Sequence, residues 1–586
     1  MSPFLYFGFI LASSFAADAP APAQPPAPLP ADSSRYIFMP SISDDGVASG
    51  PHAVTICLPA GYASTDRRYP VFYVLDGANA FLTQQNDMRN ATAYELAHDQ
   101  LVHEGLIQPV IFVAVHNSVD AEGRQINRGT DYYPAHITNG RSKGEGYYRF
   151  LAEKIKPLID RTYRTLPGPA TTGIAGFSAG GAGAFWMTYE HPETFGMGLC
   201  QSPASLIVSL IDTYKAPLPP VRLWIDVGSQ ELGIGIWQSS CIAARKLVDL
   251  GFVQNDNFAF HVGHNQGHEK FDCNQRLRHA LYFLLRTKTP QLVRVEIAET
   301  DTLGDGLIRL ARTGHVVLEP VYENGFRLTD CTAKITVKNP AVATFDEDTR
   351  ELRPQAPGQT TITSSFAGRE IVQQLVVPPA PPALPCPAVT RPVVIDGDLS
   401  DWPALPLTVD APATPTDVLA WSGPADLSYR FACAHDDRFL YVAIQTTDDH
   451  LASAPDKNPW VQDGVELRLD ARPAAERRLA LDRDILVVAM SPALAGENRL
   501  PYNAAKLPEG TKAICKATPT GHNTEIAIPF AYLNAKAGKP WTDVRLNLVV
   551  DDNDNDYKGF TADKLWWKPD WRTAGNILGS GTFERK

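Results

Sequence analysis

The sequence predicts a multidomain chain in which a parallel α/β domain, helices covering both faces of its sheet, precedes two β-sandwiches. Three observations lead there. Near-continuous apolar runs alternate with amphipathic stretches as far as about Thr289, the pattern of strands buried on both faces. Beyond that point the runs become short, β-rich and separated by turn residues. The tract Pro378-Pro379-Ala380-Pro381-Pro382-Ala383 then divides the β-rich part in two, because so stiff a segment builds no core.

Bulk properties narrow the class. A chain of 586 residues exceeds one ordinary core, which predicts several domains. The net charge of −12 argues against a nucleic-acid partner, since a phosphate backbone needs a basic face. No apolar stretch reaches the roughly 18–20 residues of a membrane span. Phe4 to Ala12 is apolar and Ser14-Phe15-Ala16 offers a small-residue cleavage site, so 1–17 reads as an export signal, although no Lys or Arg precedes the apolar run. The expected location is secreted or periplasmic. Residues 18–35 are a Pro/Ala linker. The eight cysteines show no zinc spacing; export permits disulfides, but connectivity is not legible in sequence.

The first domain is expected over 36–290. Val54–Leu58, Val71–Leu75, Val110–Val115, Gly173–Phe177, Leu223–Val227 and Phe258–Val262 read as buried strands. Ala91–Glu104, Tyr147–Tyr163, Ala179–Tyr189, Cys241–Leu250 and Phe271–Leu285 read as helices. Residues 291–378 carry β-rich runs at Lys334–Val337, Thr360–Ser364 and Val372–Val377, about the length of one immunoglobulin-like sandwich. Its stretches Asn339–Ala343 and Pro357–Ile362 resemble the bacterial Ig-like family 2 repeat. A linker at 379–385 leads to a second β-rich segment, 386–586, which holds most of the tryptophans.

Chemistry concentrates at Gly176-Phe177-Ser178-Ala179-Gly180, a G-x-S-x-G match between a strand and a helix. That context defines a nucleophile elbow, a turn so tight that only small neighbours fit, and with it an α/β-hydrolase fold. Ser178 is the expected nucleophile, and the N–H of Ala179, at the start of a helix, the first oxyanion donor. A second donor is expected from Gly77 or Ala78, in the loop after the early strand. A serine needs a general base, which in this fold lies downstream in the loop after the last strand. His268, directly before the final helix, is better placed there than His264; His261 sits within the strand. Two carboxylates compete for the orienting acid. Asp226 lies inside its strand, whereas Glu231 follows the turn and is preferred by position.

These residues carry a specific resemblance. Val71–Gly77, Ile111–Asn117, Tyr132-Tyr133-Pro134, Gly176–Gly181, His191–Gly196, Ser202-Pro203 and Gly267-His268 occur in the order of the esterase D family. That family groups feruloyl and acetylxylan esterases, enterochelin-type esterases, S-formylglutathione hydrolases and mycolyltransferases. The resemblance spans about 36–288 and implies an α/β-hydrolase with Ser178, Glu231 and His268 as its triad. Asp76-Gly77 stands where many relatives have His-Gly, which leans toward the enterochelin-type subset.

Val393–Pro403, Phe439–Ile444, Trp460–Leu467 and Arg545–Asp556 resemble a family 9 carbohydrate-binding module. This implies a sugar-binding sandwich, in which Trp460, Trp566, Trp567 and Trp571 are stacking candidates, Trp460 foremost; the competing reading is that they fill the core. The acidic run Asp551–Asp556 offers hard-cation ligands for calcium. It lacks EF-hand spacing and reads first as a solvated acidic turn, so no cofactor is required. Together these features predict a secreted serine esterase acting on acylated polysaccharide or oligosaccharide, with acetyl or feruloyl as the acyl groups removed. A siderophore-type or other small-ester hydrolase, and an inactive glycan-binding surface protein, are the competing readings.

Overall fold

The computed structural model describes residues 35–43, 50–82, 91–118, 126, 128–229, 231, 235–264, 266–299, 307–310, 314–402, 404–412, 421–474, 476–477, 484–494, 497, 499–554, 563–568 and 581–586. The expected export signal and nearly all of the Pro/Ala linker lie outside them, as does Trp571.

Strands β1 (Tyr36–Ile42), β2 (His52–Cys57), β3 (Val71–Val74), β4 (Ile111–Val115), β5 (Thr172–Phe177), β6 (Met197–Gln201), β7 (Arg222–Gly228) and β8 (Phe258–Gly263) build one sheet. Its order is β1-β2-β4-β3-β5-β6-β7-β8. β1, β2 and β4 pair antiparallel, and all the other neighbours are parallel. Alternate side chains point to opposite faces. Val71 and Tyr73 join a core with Phe185, Trp186 and Leu247, while Phe72 and Val74 join another with Leu101, Leu277 and Leu281. Two covered faces explain why these strands are apolar throughout. The helices Tyr94–His103 and Lys270–Leu285 cover one face; Ala179–Glu190 and Ile236–Leu250 cover the other.

Two strands escaped the sequence pattern. β1 is a half-exposed edge strand containing Pro40, and β6 carries Gly198, whose missing side chain leaves room for Thr188 and Leu223. The helix expected over Tyr147–Tyr163 is a run of Gly144–Arg149, a π-helical turn Phe150–Ile155, and Lys156–Thr162. Pro157, with no N–H to continue the ladder, stands where the wide turn ends.

The middle region is a β-sandwich. Strands β9 (Leu292–Glu299), β10 (Leu307–Arg309), β11 (Gly314–Tyr322), β12 (Thr336–Val337), β13 (Ala343–Asp346), β14 (Glu351–Pro354), β15 (Gly358–Phe366) and β16 (Arg369–Val377) form two four-stranded sheets. Their orders are β10-β16-β15-β12 and β13-β14-β11-β9. Ile297, Leu318, Leu352, Ile362 and Leu375 fill the space between. β11 is buried along its whole length: Val316 and Leu318 face the sandwich core, while Val317 joins the α/β core. Cys331 also joins that core, and Phe326 and Leu328 pack with Trp224 and Phe283. The middle sandwich therefore shares hydrophobic core with the first domain, which the boundary at 290 had not anticipated.

The C-terminal region is a larger sandwich. One sheet runs β17 (Leu384–Cys386), β27 (Thr582–Arg585), β25 (Asp543–Asp552), β21 (Gly464–Asp470) and β22 (Leu486–Met490), with β26 (Asp563–Trp566) on β25. The other runs β18 (Leu407–Val409), β19 (Leu427–His435), β20 (Phe439–Asp448), β24 (Gly521–Pro529) and β23 (Lys512–Thr518). Leu440, Val442, Leu467, Ile526 and Leu546 lie between them.

Candidate active site

β5 ends at Phe177 and the next helix begins at Ala179, so Ser178 alone makes the turn. Its backbone is strained for that purpose, with φ 58° and ψ −118°, a region non-glycine residues seldom occupy. The flanking glycines are required by space. A Cβ on Gly176 would lie 2.3 Å from the Gly180 carbonyl, and one on Gly180 would lie 2.9 Å from Asp76 Oδ2. Ser178 N–H donates to Gln201 O at 3.0 Å, and Ala204 N–H donates to Ser178 O at 3.0 Å, which ties the elbow to the end of β6.

The candidate acid and base come from the next loops. His268 Nδ1 lies 2.8 Å from Glu231 Oε2, and the Glu231 side chain is wholly buried. Glu231 Oε1 accepts from Ser202 Oγ at 2.6 Å and from Gly228 N–H at 2.8 Å. Asp226 takes a different role: it accepts from Trp224 Nε1 and from Arg276 Nε, each at 2.8 Å. The His268 ring lies against Phe177, the residue before Ser178, with ring centroids 4.4 Å apart. Among the described residues no hydrogen bond joins Ser178 Oγ to His268; in unliganded sites such bonds are often long and tighten with substrate. His261 is buried in β8, and His264 bonds Glu319 at 2.8 Å, outside the Ser178–Glu231–His268 set.

Sequence reading missed Arg276, nearly two turns into the last helix, Lys270–Leu285. This fully buried guanidinium donates to Asp226, to Gln266 Oε1 at 2.9 Å, to Ser202 Oγ at 2.8 Å and to Glu231 Oε1 at 3.4 Å. It thereby compensates both carboxylates and ties the acid loop to the histidine loop. Burial raises the Asp226 pKa, and Arg276 works against that rise. The signal in sequence is an arginine at helical spacing from Cys273 and Ala280, on the apolar face of the helix.

On the other side, Ala179 is buried at the start of its helix, and Gly77 and Ala78 open a 3-10 turn. Gly77 has no room for a side chain, since a Cβ would lie 2.5 Å from the Ala114 backbone; Ala78 is exposed. Asp76 enters this turn with φ 56°. Its carboxylate accepts from Arg128 Nε and Nη2 and from Asn117 Nδ2, each at 2.6 Å, while Arg128 Nη2 also reaches Phe177 O at 3.1 Å. Burial pushes the Asp76 carboxyl up, but Arg128, Lys270 and Asn117 outweigh it and hold the pKa below the usual value. The Asp76–Arg128 pair thus locks the Gly77–Asn79 turn to the elbow.

In the C-terminal sandwich Trp460 is half-buried in a short turn, its ring edge-on to the 41% exposed Tyr502 at 4.8 Å. Trp566 is a correction: it is buried, with the Arg468 guanidinium 4.9 Å over its ring. Trp567 is turned inward, edge-on to Phe431 at 4.9 Å. Trp566 packs with Val549 and Ile485 on the sheet face away from the sandwich core, while Trp567 lies partly buried against that core. The acidic run also divides. Asp551 pairs with Lys564, whereas Asp552 clusters with Asp448 and Asp463, their ligand atoms within 4.8 Å of one another. A second group joins Asp552 to Asp426 and Asp554. Asp448 Oδ2 and Asp552 Oδ1 are buried without a hydrogen-bond partner, a donor set that suits a hard cation. Asn555 and Asp556 lie outside the described residues.

An elbow serine, a buried carboxylate on an imidazole and an α/β sheet with this strand order make the first domain an α/β-hydrolase esterase domain, and the chain a serine-hydrolase-type enzyme. The "Putative esterase" family profile matches residues 49–248, and the "Carbohydrate family 9 binding domain-like" profile matches 395–574. Among solved structures, a ferulic acid esterase is 19% identical, with 43% of this chain and 97% of that chain covered at a TM-score of 0.34. A ferulic acid esterase from Anaeromyces mucronatus is 19% identical, with 43% and 90% covered at 0.31. The enterobactin esterase of Shigella flexneri is 15% identical, with 44% and 60% covered at 0.33. No curated protein matches the chain.

Proposed function

We propose that the chain hydrolyses carboxylic esters on glycans through an acyl-enzyme. Ser178 Oγ attacks the ester carbonyl while His268 takes its proton; the Ala179 N–H, with that of Gly77 or Ala78, receives the oxyanion. His268 then gives its proton to the leaving alcohol, and water repeats the sequence to release the acid. Glu231 keeps the proton on Nδ1 and steadies the imidazolium. The Glu231–His268 contact of 2.8 Å beside the elbow carries this reading. The family 9 match over 395–574, and Trp460 beside Tyr502, support a glycan-bound ester, acetyl or feruloyl, with the module raising local substrate concentration. Trp571 remains the further stacking candidate from the sequence. Export to the periplasm or beyond, and an Ig-like topology for the middle sandwich, belong to the same proposal. Calcium at Asp448, Asp463 and Asp552 would be a structural ion of the module.

The Asp76–Arg128 pair favours a second reading, a siderophore-type ester, since it departs from the His-Gly loop of many relatives. A panel of p-nitrophenyl acetate, methyl ferulate, acetylated xylan and a catecholate siderophore separates them. Turnover is expected on the first three and lost in Ser178→Ala, along with fluorophosphonate labelling. Turnover of the siderophore alone would favour the second reading, and labelling of the alanine variant would remove Ser178 as nucleophile.

A further inference from the structure

We propose that the middle sandwich is a working part of the catalytic unit, bracing both the loop that carries Glu231 and the loop that carries His268; this rests on the triad reading above. β8 is the last strand of the sheet, and its outer edge is closed by one residue of the sandwich. Thr329 N–H donates to Phe260 O at 2.8 Å, Thr329 Oγ1 accepts from Val262 N–H at 3.0 Å, and Thr329 O accepts from Gln254 Nε2 at 2.7 Å. β8 runs directly into the histidine loop. There His264 Nε2 meets Glu319 Oε1 at 2.8 Å; Glu319 is wholly buried, and its other oxygen accepts from Arg327 Nη1 at 3.1 Å.

The acid loop is held in the same way. Trp237 N–H donates to Glu231 O at 3.3 Å. The Trp237 ring packs on His315, with centroids 4.2 Å apart, and its Nε1 donates to Thr349 O at 3.2 Å. Arg245, on the same helix, donates to the carbonyls of Glu347 and Asp348. A tethered spacer leaves a small, polar contact, whereas here Val317 and Cys331 enter the α/β core. The elbow and the oxyanion loop sit on β5 and β3, away from this contact. Loosening the brace should therefore disturb proton transfer more than substrate binding, because triad geometry tolerates little displacement.

The test uses the full chain. His264→Ala should lower kcat on p-nitrophenyl acetate about tenfold with KM within about twofold, which corresponds to about 1.4 kcal/mol of barrier. His264→Gln, which keeps a donor toward Glu319, should recover most of kcat. Thr329→Val, which removes the acceptor at the far side of β8, should lower kcat in the same direction. Amide exchange across 263–268 should quicken in both impaired variants. An active wild type with unchanged kcat in His264→Ala and Thr329→Val overturns the brace, as does a Gln variant that recovers nothing. A wild type that fails to turn over any ester overturns the triad reading instead.

A second, independent inference concerns the entry to the C-terminal sandwich. We infer that Cys386 and Cys433 form a disulfide when the chain folds in the presence of a disulfide oxidant. The sulfurs lie 3.4 Å apart and both residues are buried. The backbone register agrees: Ala388 bridges His435 in parallel, which sets the residues two positions earlier, Cys386 and Cys433, opposite one another with side chains on one face. The bond would join β17 of one sheet to β19 of the other. The two thiols lose two protons, their sulfurs join, and two electrons cleave the S–S bond of glutathione disulfide into two thiols. Full chain refolded with glutathione disulfide should yield one linked peptide pair containing both residues, and Cys433→Ser should leave Cys386 open to alkylation after denaturation. Alkylation of both cysteines after oxidative refolding overturns it.

Discussion

Two groups of buried carboxylates differ in what compensates them. Asp226 and Glu231 lie with Arg276 between them, and the guanidinium bonds both. Asp448, Asp463 and Asp552 have ligand atoms within 4.8 Å of one another, but among the described residues no Lys or Arg pairs with them. Asp448 accepts from the backbone N–H of His450, and Asp463 from those of Ala452 and Asn553. Burial, with mutual repulsion adding to it, pushes Asp463 and Asp552 up to about 9 and Asp448 up to about 7. Burial penalises charge in both places. A buried cation lets an acid serve an imidazolium; without one, the acids hold protons or take a cation from solution.

The largest test of this contrast is Glu231→Gln. The amide cannot stabilise the imidazolium, so kcat on an aryl ester should fall about 10⁴-fold, as when the acid of other triads is neutralised. A fall below about tenfold, in steady-state kinetics, breaks the assignment of this carboxylate. Arg276→Met comes next. It strands two acids in the core and should cost about 3–5 kcal/mol in urea unfolding. Asp226→Asn in that background should recover part of the loss, and no recovery would mean that Arg276 serves packing alone.

The uncompensated group predicts a pH response of its own. Its folded pKa values lie above the unfolded value, so the native state holds extra protons. Stability from this source is complete below about pH 4 and is lost as pH rises through the folded values. Without divalent ions, unfolding of the C-terminal sandwich, followed by tryptophan fluorescence, should occur at falling temperature from about pH 5 to about pH 9. Calcium should reverse this, most strongly at the alkaline end, because it binds the ionised carboxylates. The smallest effect belongs to Asp463→Asn. In calcium-free buffer near about pH 8 it should stabilise the sandwich by about 1 kcal/mol and remove most of the calcium response. A variant that still gains the full increment with calcium places the ion elsewhere.

Local sequence alone determined the elbow. Five residues from Gly176 to Gly180 mark it, because the contact that excludes a side chain at Gly176 arises within that turn, although the one at Gly180 comes from Asp76. The buried parallel strands were legible for a similar reason, since a strand covered on both faces must be apolar at every position. Chain order then led to Glu231 and His268, whose contact the tertiary structure supplied. The structure alone decided that Arg276 meets both acids, that Asp76 and Arg128 form a pair, that Trp566 is buried, and that the middle sandwich reaches the histidine loop. Arg276 and Ser202 are 74 positions apart, and Asp76 and Arg128 are 52 apart. Such partnerships depend on how separately formed elements pack, and on which polar groups that packing strips of water; neither is written in the residues on either side.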